Sequence, residues 1–526
     1  MKYLLSLGYS ILGLLEERLF DRWVDARTHY RRAHALAGGR PPLLILKRLA
    51  AVSAIVEQYA LPGAEGTGGW KAIADRCNDV LSAGKASTAW YIRLGDAHVA
   101  CNDWSAAADA YRDALAKDAC CSVAQYKLGS ALSRLGKRGA AIRAYSSAFV
   151  GDRLGEKIDW YADLARCLQA PVPSSSAAGV PDLVETGGVG REVAWRLDFC
   201  RLMRAGSVRE AYSMKRQAAE GALRSLDWIS PPRFNVVVEA AQAAAWLRQV
   251  DRAIEILHRL EGMARTDRQR RIVGCLGLSI NLQAGELGGI ARFRPLAAAG
   301  LRQDGVDRAY RNLVKGKRIA VVCPGRSEAG QGQEIDSFEL VVRTNFHGPE
   351  AIDGNAAHGG SRCDISYYNR QHFRSKAGQV REGLSGSRLR FLVARDHYFN
   401  RMSTYMSGIP ARKRWSCGLI FGGRGFALAH IANDLLAFEP SETKIFCADF
   451  FLGSDPHYRG YFDDAIDVRE AYLLHDPVAT LGFLEGLWRN GYIAADPTLE
   501  RILRLDGDAF VDELERRCLD QESRSS

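Results

Sequence analysis

The chain has 526 residues, length for roughly three or four domain-sized pieces. With 47% hydrophobic and 25% charged residues it follows ordinary globular usage, which excludes a disordered chain, a collagen-like chain and a polytopic membrane protein. Its formal net charge of +10 is spread along the chain, a balance that suits an anionic partner or a plainly solvated set of arginines.

The first segment, residues 1–15, is apolar for about 13 residues, short of the roughly 20 that a membrane span needs. Glu16-Glu17-Arg18 follow, and no small-residue cleavage site appears. An amphipathic helix running to about Arg32 is expected, with peripheral membrane contact left open. The 12 cysteines contain no CxxC pair, so a zinc ribbon is not expected. They read as free, mostly buried thiols of a reducing, cytoplasmic compartment.

Helical patterns follow over residues 16–36 and 42–60. Leu94-Gly95 then recurs as Leu128-Gly129, Ala107 as Ala141, and Ala110-Tyr111 as Ala144-Tyr145, each after 34 residues. Small alanines let the helices of a hairpin approach closely, while Tyr and Leu fill the seam to the next hairpin. This spacing resembles the tetratricopeptide repeat, most clearly over 87–150. The resemblance implies a superhelix that docks a protein partner or packs on an attached catalytic domain. Residues 191–222 and 235–262 read as weaker copies, so that the helical repeat region is expected to span 1–300. The Pro-, Ser- and Gly-rich stretch 171–190 reads as a linker.

From about residue 310 to 526 the pattern changes to short apolar runs separated by helical stretches. Strands are expected at 318–322, 340–343, 364–368, 389–394 and 444–448, with helices at 425–438 and 478–490. That alternation predicts an α/β domain with a mostly parallel, Rossmann-like sheet. Ligands of such sheets bind outside the carboxyl ends of the strands, so the residues after each strand carry the interest.

After the first strand comes Cys323-Pro324-Gly325-Arg326-Ser327. Backbone N–H groups at Gly325 and Ser327, with the Arg326 guanidinium, could meet a phosphate. Neither a complete GxGxxG nor a GxxxxGK[ST] is present. The continuation, Gly332-Gln333-Glu334-Ile335-Asp336-Ser337 and then Val341-Val342-Arg343-Thr344-Asn345, resembles the large motif of the sialyltransferases of glycosyltransferase family 29. In that family the region binds the CMP of the sugar donor, and Asn345 matches the Asn that contacts the nucleotide. Asp336 and Arg343 read as a buried pair that fixes the loop beside the site.

Three further pieces follow in the family's order. Gly422-Gly423-Arg424-Gly425, opening a helix, resembles the small motif that holds the donor, with Ser416-Cys417-Gly418 as a rival match. Cys447-Ala448-Asp449-Phe450 followed by Asp455-Pro456-His457-Tyr458 is similar to a strand end and the His-Tyr motif, whose His meets the donor phosphate. Leu474-His475-Asp476 resembles the last motif, whose His is the base. Thr480 stands where the family has Glu, and Glu485 is a doubtful stand-in. The family's Asn-Ser after the first strand and its Cys pair have no counterpart here. Asp506-Gly507-Asp508 lies past the motifs and reads as chance.

The resemblance implies an inverting transfer of an acid sugar, sialic acid or Kdo, from a CMP-sugar to a glycan or glycolipid. It implies no cofactor and no metal. His475 would take the acceptor's proton, with Asp449 or Asp455 in reserve, and His457 and the Arg326 turn would steady the leaving phosphate. The alternative is a non-catalytic repeat scaffold with an inactive nucleotide-sugar-binding-like domain. A nucleic-acid partner is not expected, because no aromatic–basic RNA motif is present.

Overall fold

The computed structural model describes residues 67–82, 87–148, 191–228, 232–286, 288–301, 304–325, 330–346, 348, 355–368, 380, 389–394, 408–453 and 467–525. The helices expected at 16–36 and 42–60, the N-terminal segment and the linker at 171–190 lie outside the described residues. Two compact units result, Met1–Val150 and Gly151–Ser526.

In the first unit, helices Thr88–Ala100 and Trp104–Lys117 form one hairpin, and Ser122–Arg134 and Arg138–Ala148 a second, 34 residues on. Asp103 caps its helix by accepting from Ala106 N at 3.0 Å. The period has a steric cause. Gly95 lies flat against the Tyr111 ring and Gly129 against the Tyr145 ring, so closely that a Cβ on either would fall within 2.7 Å of a ring carbon. Ala107, Ala110, Ala141 and both tyrosines are buried in that seam.

Six further helices, Arg191–Arg204, Val208–Trp228, Phe234–Trp246, Val250–Met263, Asp267–Ala284 and Gly288–Ala297, open the described part of the second unit. The sequence pattern grouped the helices before residue 300 with the repeats; in the structure those from 191 on belong to the compact unit that carries the sheet. That sheet has seven parallel strands in the order β5-β4-β3-β2-β1-β6-β7. They are β1 (Arg318–Val322), β2 (Leu340–Thr344), β3 (Ile365–Tyr368), β4 (Phe391–Ala394), β5 (Ala411–Lys413), β6 (Glu442–Phe446) and β7 (Ala494–Ala495). β2, β3 and β4 are buried throughout, as expected of parallel strands covered on both faces.

β5 and β7 were not anticipated from sequence. β7 has only two residues, and β5 reads Ala-Arg-Lys. Arg412 is wholly buried there because Asp307 (2.7 Å) and Asp434 (2.5 Å) both accept from its guanidinium. Asp434 also accepts from Tyr367 OH at 2.7 Å and Trp415 N at 2.8 Å, which locks helix Ala427–Leu436 to the sheet. Among the described residues no helix is long and apolar enough to cross a membrane, and every cysteine is free.

Candidate functional site

The strand order reverses between β1 and β6. The chain moves outward from β1 to β5 and then returns to lay β6 on the other side of β1. Such a switch point opens a crevice at the carboxyl ends of the two strands. Gly325 sits there, after β1. A Cβ on it would lie 2.3 Å from the Cys447 carbonyl oxygen and 3.0 Å from Asp449 Oδ1, so glycine alone lets the two strand ends meet.

Asp449 follows β6 and is buried. Its carboxylate accepts from Phe451 N at 3.0 Å and Gly453 N at 3.3 Å. Burial pushes the carboxyl up to about 6, against the pull of those hydrogen bonds and of Arg517 nearby. Asp496 holds the preceding bend, accepting from Cys447 N at 2.8 Å. Cys447, Phe450 and Phe451 after β6, and Asn345 after β2, all have φ between 52° and 62°. Backbone held in this region costs about 1–3 kcal/mol per residue and persists only where the surroundings enforce it. Burial, with Asp496 and Asp449 nearby, pushes the Cys323 thiol well above its usual range, which rules it out as a ready thiolate.

An aromatic bridge leads from Asp449 to the glycine loop. Phe426 meets Phe450 at 5.7 Å and Phe451 at 5.3 Å between ring centroids, and the His475 ring stacks on it at 5.4 Å. His475 Nδ1 is 3.3 Å from the Gly425 carbonyl oxygen. A carbonyl only accepts, so in this contact Nδ1 is the donor. Next to it, Asp476 N donates to Arg424 O at 2.5 Å, and Phe426 N donates to Thr480 Oγ1 at 3.1 Å. The loop and the histidine are therefore held together from both sides.

Asp476 itself is 3% exposed and accepts from Lys215 Nζ at 2.6 Å, Trp246 Nε1 at 3.1 Å, Tyr212 OH at 3.4 Å and Ala479 N at 2.9 Å. Lys215, 1% exposed, comes from helix Val208–Trp228. The histidine's position thus depends on helices the sequence pattern had read as repeats. In sequence Lys215 sits in a polar helical run, Met214-Lys215-Arg216-Gln217, with no sign that only Lys215 is buried.

The structure treats the other anticipated residues unevenly. Asn345 is buried at the end of β2, its N–H donating to Tyr367 O at 2.8 Å. Asp336 and Arg343 do not pair with each other; both clamp the loop at 359–362. Asp336 accepts from Ser361 N and Arg362 N, while Arg343 donates to the carbonyls of Gly359, Gly360 and Arg362. Glu485 turns away to ion pairs with Arg248 and Arg489, so it does not stand in beside His475. Asp506 caps the last helix and Asp508 pairs with Arg216, an ordinary use of both acids. Arg326, Ser327, Asp455 and His457 lie outside the described residues.

Ser416 and Gly418 share one cavity of about 420 Å³ with Gly423 and Arg424, so both rival segments border the same space. Gly422, at φ 61°, makes the turn between them and packs under Trp195. Among the described residues no cluster of His, Cys, Asp and Glu could hold a metal. The sequence matches no protein-family model and no curated protein sequence.

Proposed function

We propose that the unit carrying the sheet is an inverting glycosyltransferase that moves an acid sugar, sialic acid or Kdo, from a CMP-sugar to a glycan or glycolipid hydroxyl. The observation that supports this reading is the contact of the Gly325 turn with Asp449 at the β1–β6 switch point, together with the ring contacts that run from Phe450 and Phe451 through Phe426 to His475 and the Gly423-Arg424-Gly425 loop. These are the places where the resemblance to the family 29 sialyltransferases puts the donor and the base. Gly325 lets the ends of β1 and β6 meet, and the resemblance puts the donor phosphate at the turn that begins there. His475 takes the proton of the acceptor hydroxyl as its oxygen bonds to the anomeric carbon and the bond from that carbon to the CMP oxygen breaks on the opposite face. The leaving phosphate is steadied by nearby donors, for which Arg326, Ser327 and His457 are the proposed set. No metal enters this scheme. The 34-residue hairpins of the first unit are proposed, on their resemblance to tetratricopeptide repeats, to engage a protein partner.

The test is a donor screen with the full chain, CMP-Neu5Ac beside CMP-Kdo, following CMP release with and without mixed glycan acceptors. Release from one donor, abolished by His475→Ala, is expected. Release from neither donor, together with no CMP binding by calorimetry, overturns the reading in favour of a scaffold with an inactive domain.

A further inference from the structure

The cavity beside the glycine loop has two walls of different origin. One comes from the segment after β5 and the glycine loop, and brings Arg414 and Arg424. The other comes from helix Asp267–Ala284, and brings Arg271. Three arginines therefore line about 420 Å³, and no carboxylate residue is among the described lining residues. Like charges gathered around a partly enclosed space focus a positive potential into it, and the planar guanidinium fork matches a carboxylate or phosphate.

The walls are fixed to one another. A Cβ on Gly418 would fall 2.6 Å from the Leu276 Cα, so the loop lies directly on the helix backbone. Gly418 N donates to Ser279 Oγ at 3.0 Å, and Gln242 Nε2 donates to Gly418 O at 3.1 Å. The first turn of the Arg271 helix is set by a capping box between Thr266 and Gln269. A second, independent feature points to a ligand. Trp415, 2% exposed, is on the cavity wall, and its indole N–H has no hydrogen-bond partner among the described residues, an expensive state for a buried donor.

We propose that this cavity binds the carboxylate-bearing part of the substrate and that Arg271, with Arg414, sets its specificity. The helices between 191 and 314 then belong to the substrate-binding machinery. The identity of the ligand as a CMP-linked 2-keto acid sugar rests on the transferase reading; the anion site does not. The remaining lining mixes apolar Ile272, Leu276 and Ile420 with polar Gln242, Ser416 and His430, and suits a compact organic anion better than a free inorganic ion.

The experiment is calorimetric titration of the full chain with CMP, CMP-Kdo, CMP-Neu5Ac, free Kdo and free Neu5Ac. Wild type is compared with Arg271→Gln, Arg414→Gln and the exposed control Arg252→Gln. Losing one charge-assisted contact should weaken acid-sugar ligands by about 10- to 100-fold while CMP alone changes less than about twofold. Arg271→Lys keeps the charge without the fork and should fall between. In indole NMR, the Trp415 N–H resonance, assigned through Trp415→Phe, should move as the acid sugar saturates. If CMP and CMP-sugars bind and both glutamine variants match wild type, the cavity assignment is overturned and the transferase reading survives. If CMP does not bind, the transferase reading falls. Free Kdo or Neu5Ac binding that Arg271→Gln weakens then still upholds the anion site, and no such binding overturns it too.

Discussion

The helices of 88–148 and those of 191–314 look alike in sequence, Ala-rich hairpins with a Tyr or Trp in the seam, yet they are held by different physics. In the first set the contacts repeat. Gly95 on Tyr111 and Gly129 on Tyr145 are the same close approach 34 residues apart, and the polar contact at Tyr111 stays within the hairpins, its hydroxyl donating to Asp96 at 2.7 Å. In the second set Arg196 and Glu239 pair within the helices, but several polar residues point out of the hairpins and into the α/β part. Lys215, Tyr212 and Trp246 reach Asp476; Ser279 reaches Asn433 at 2.8 Å; Arg204 reaches Glu470 at 2.6 Å. A hairpin satisfied by its neighbours can repeat. A hairpin that spends its polar groups on another fold element has become part of that element's scaffold. The recipient of three of those contacts is Asp476, the residue next to His475, the proposed base.

The largest expected effect tests the end of that connection. His475→Ala should lower turnover by about 10²–10⁴-fold, the range for losing a general base, while melting temperature and CMP affinity stay near wild type. Initial rates beside a thermal melt and a CMP titration decide it. A folded variant with near-normal turnover would hand the base role to Asp449.

Breaking the anchor itself comes next. Lys215→Ala leaves the Asp476 carboxylate buried with one cation fewer and should cost about 3–5 kcal/mol in denaturant unfolding. A loss below about 1 kcal/mol would mean that the second helical set is no more committed to the α/β part than a repeat would be.

Asp449 offers a smaller effect with a defined sign. Its carboxyl is raised in the folded chain to about 6 by burial, so folding favours the protonated form. That stabilisation is full below about pH 4, the ordinary unfolded value, and is lost as pH rises through about 6. Asp449→Asn cannot ionise. It should therefore be more stable than wild type at pH 8 by about 1–3 kcal/mol, with the advantage vanishing near pH 4. Urea melts at the two pH values test this; an equal difference at both would refute the buried-charge account.

The smallest effect belongs to the repeats. Tyr111→Phe removes one hydrogen bond to Asp96, which keeps Lys127 as a partner at 2.5 Å. A loss of about 0.5–1.5 kcal/mol is expected, with donor turnover unchanged. A change in turnover would contradict a division of labour between the two helical sets.

How much was legible in the sequence differs by element. The central strands were readable because strands buried on both faces read as largely apolar runs, as in Ile319-Ala320-Val321-Val322. The hairpin period was readable because a steric contact repeated at fixed spacing needs the same small and aromatic residues each time. The glycine turns were readable as places of close backbone approach, though not which atoms approach. β5 was hidden because the burial of Arg412 depends on Asp307 and Asp434, each distant in sequence.

The sequence by itself determined the local terms: helix and strand periodicity, the 34-residue repeat, the glycine turns, and the candidates His475, Asn345 and Gly325. Tertiary structure alone decided what each of them meets. It put Gly325 against Asp449 through the reversal of strand order, lifted the Asp449 carboxyl by burying it, and set Lys215 beneath Asp476. The physical reason is range. Periodicity and turn chemistry act over a few residues, whereas desolvation and ion pairing depend on neighbours some 260 residues apart, as Lys215 and Asp476 are.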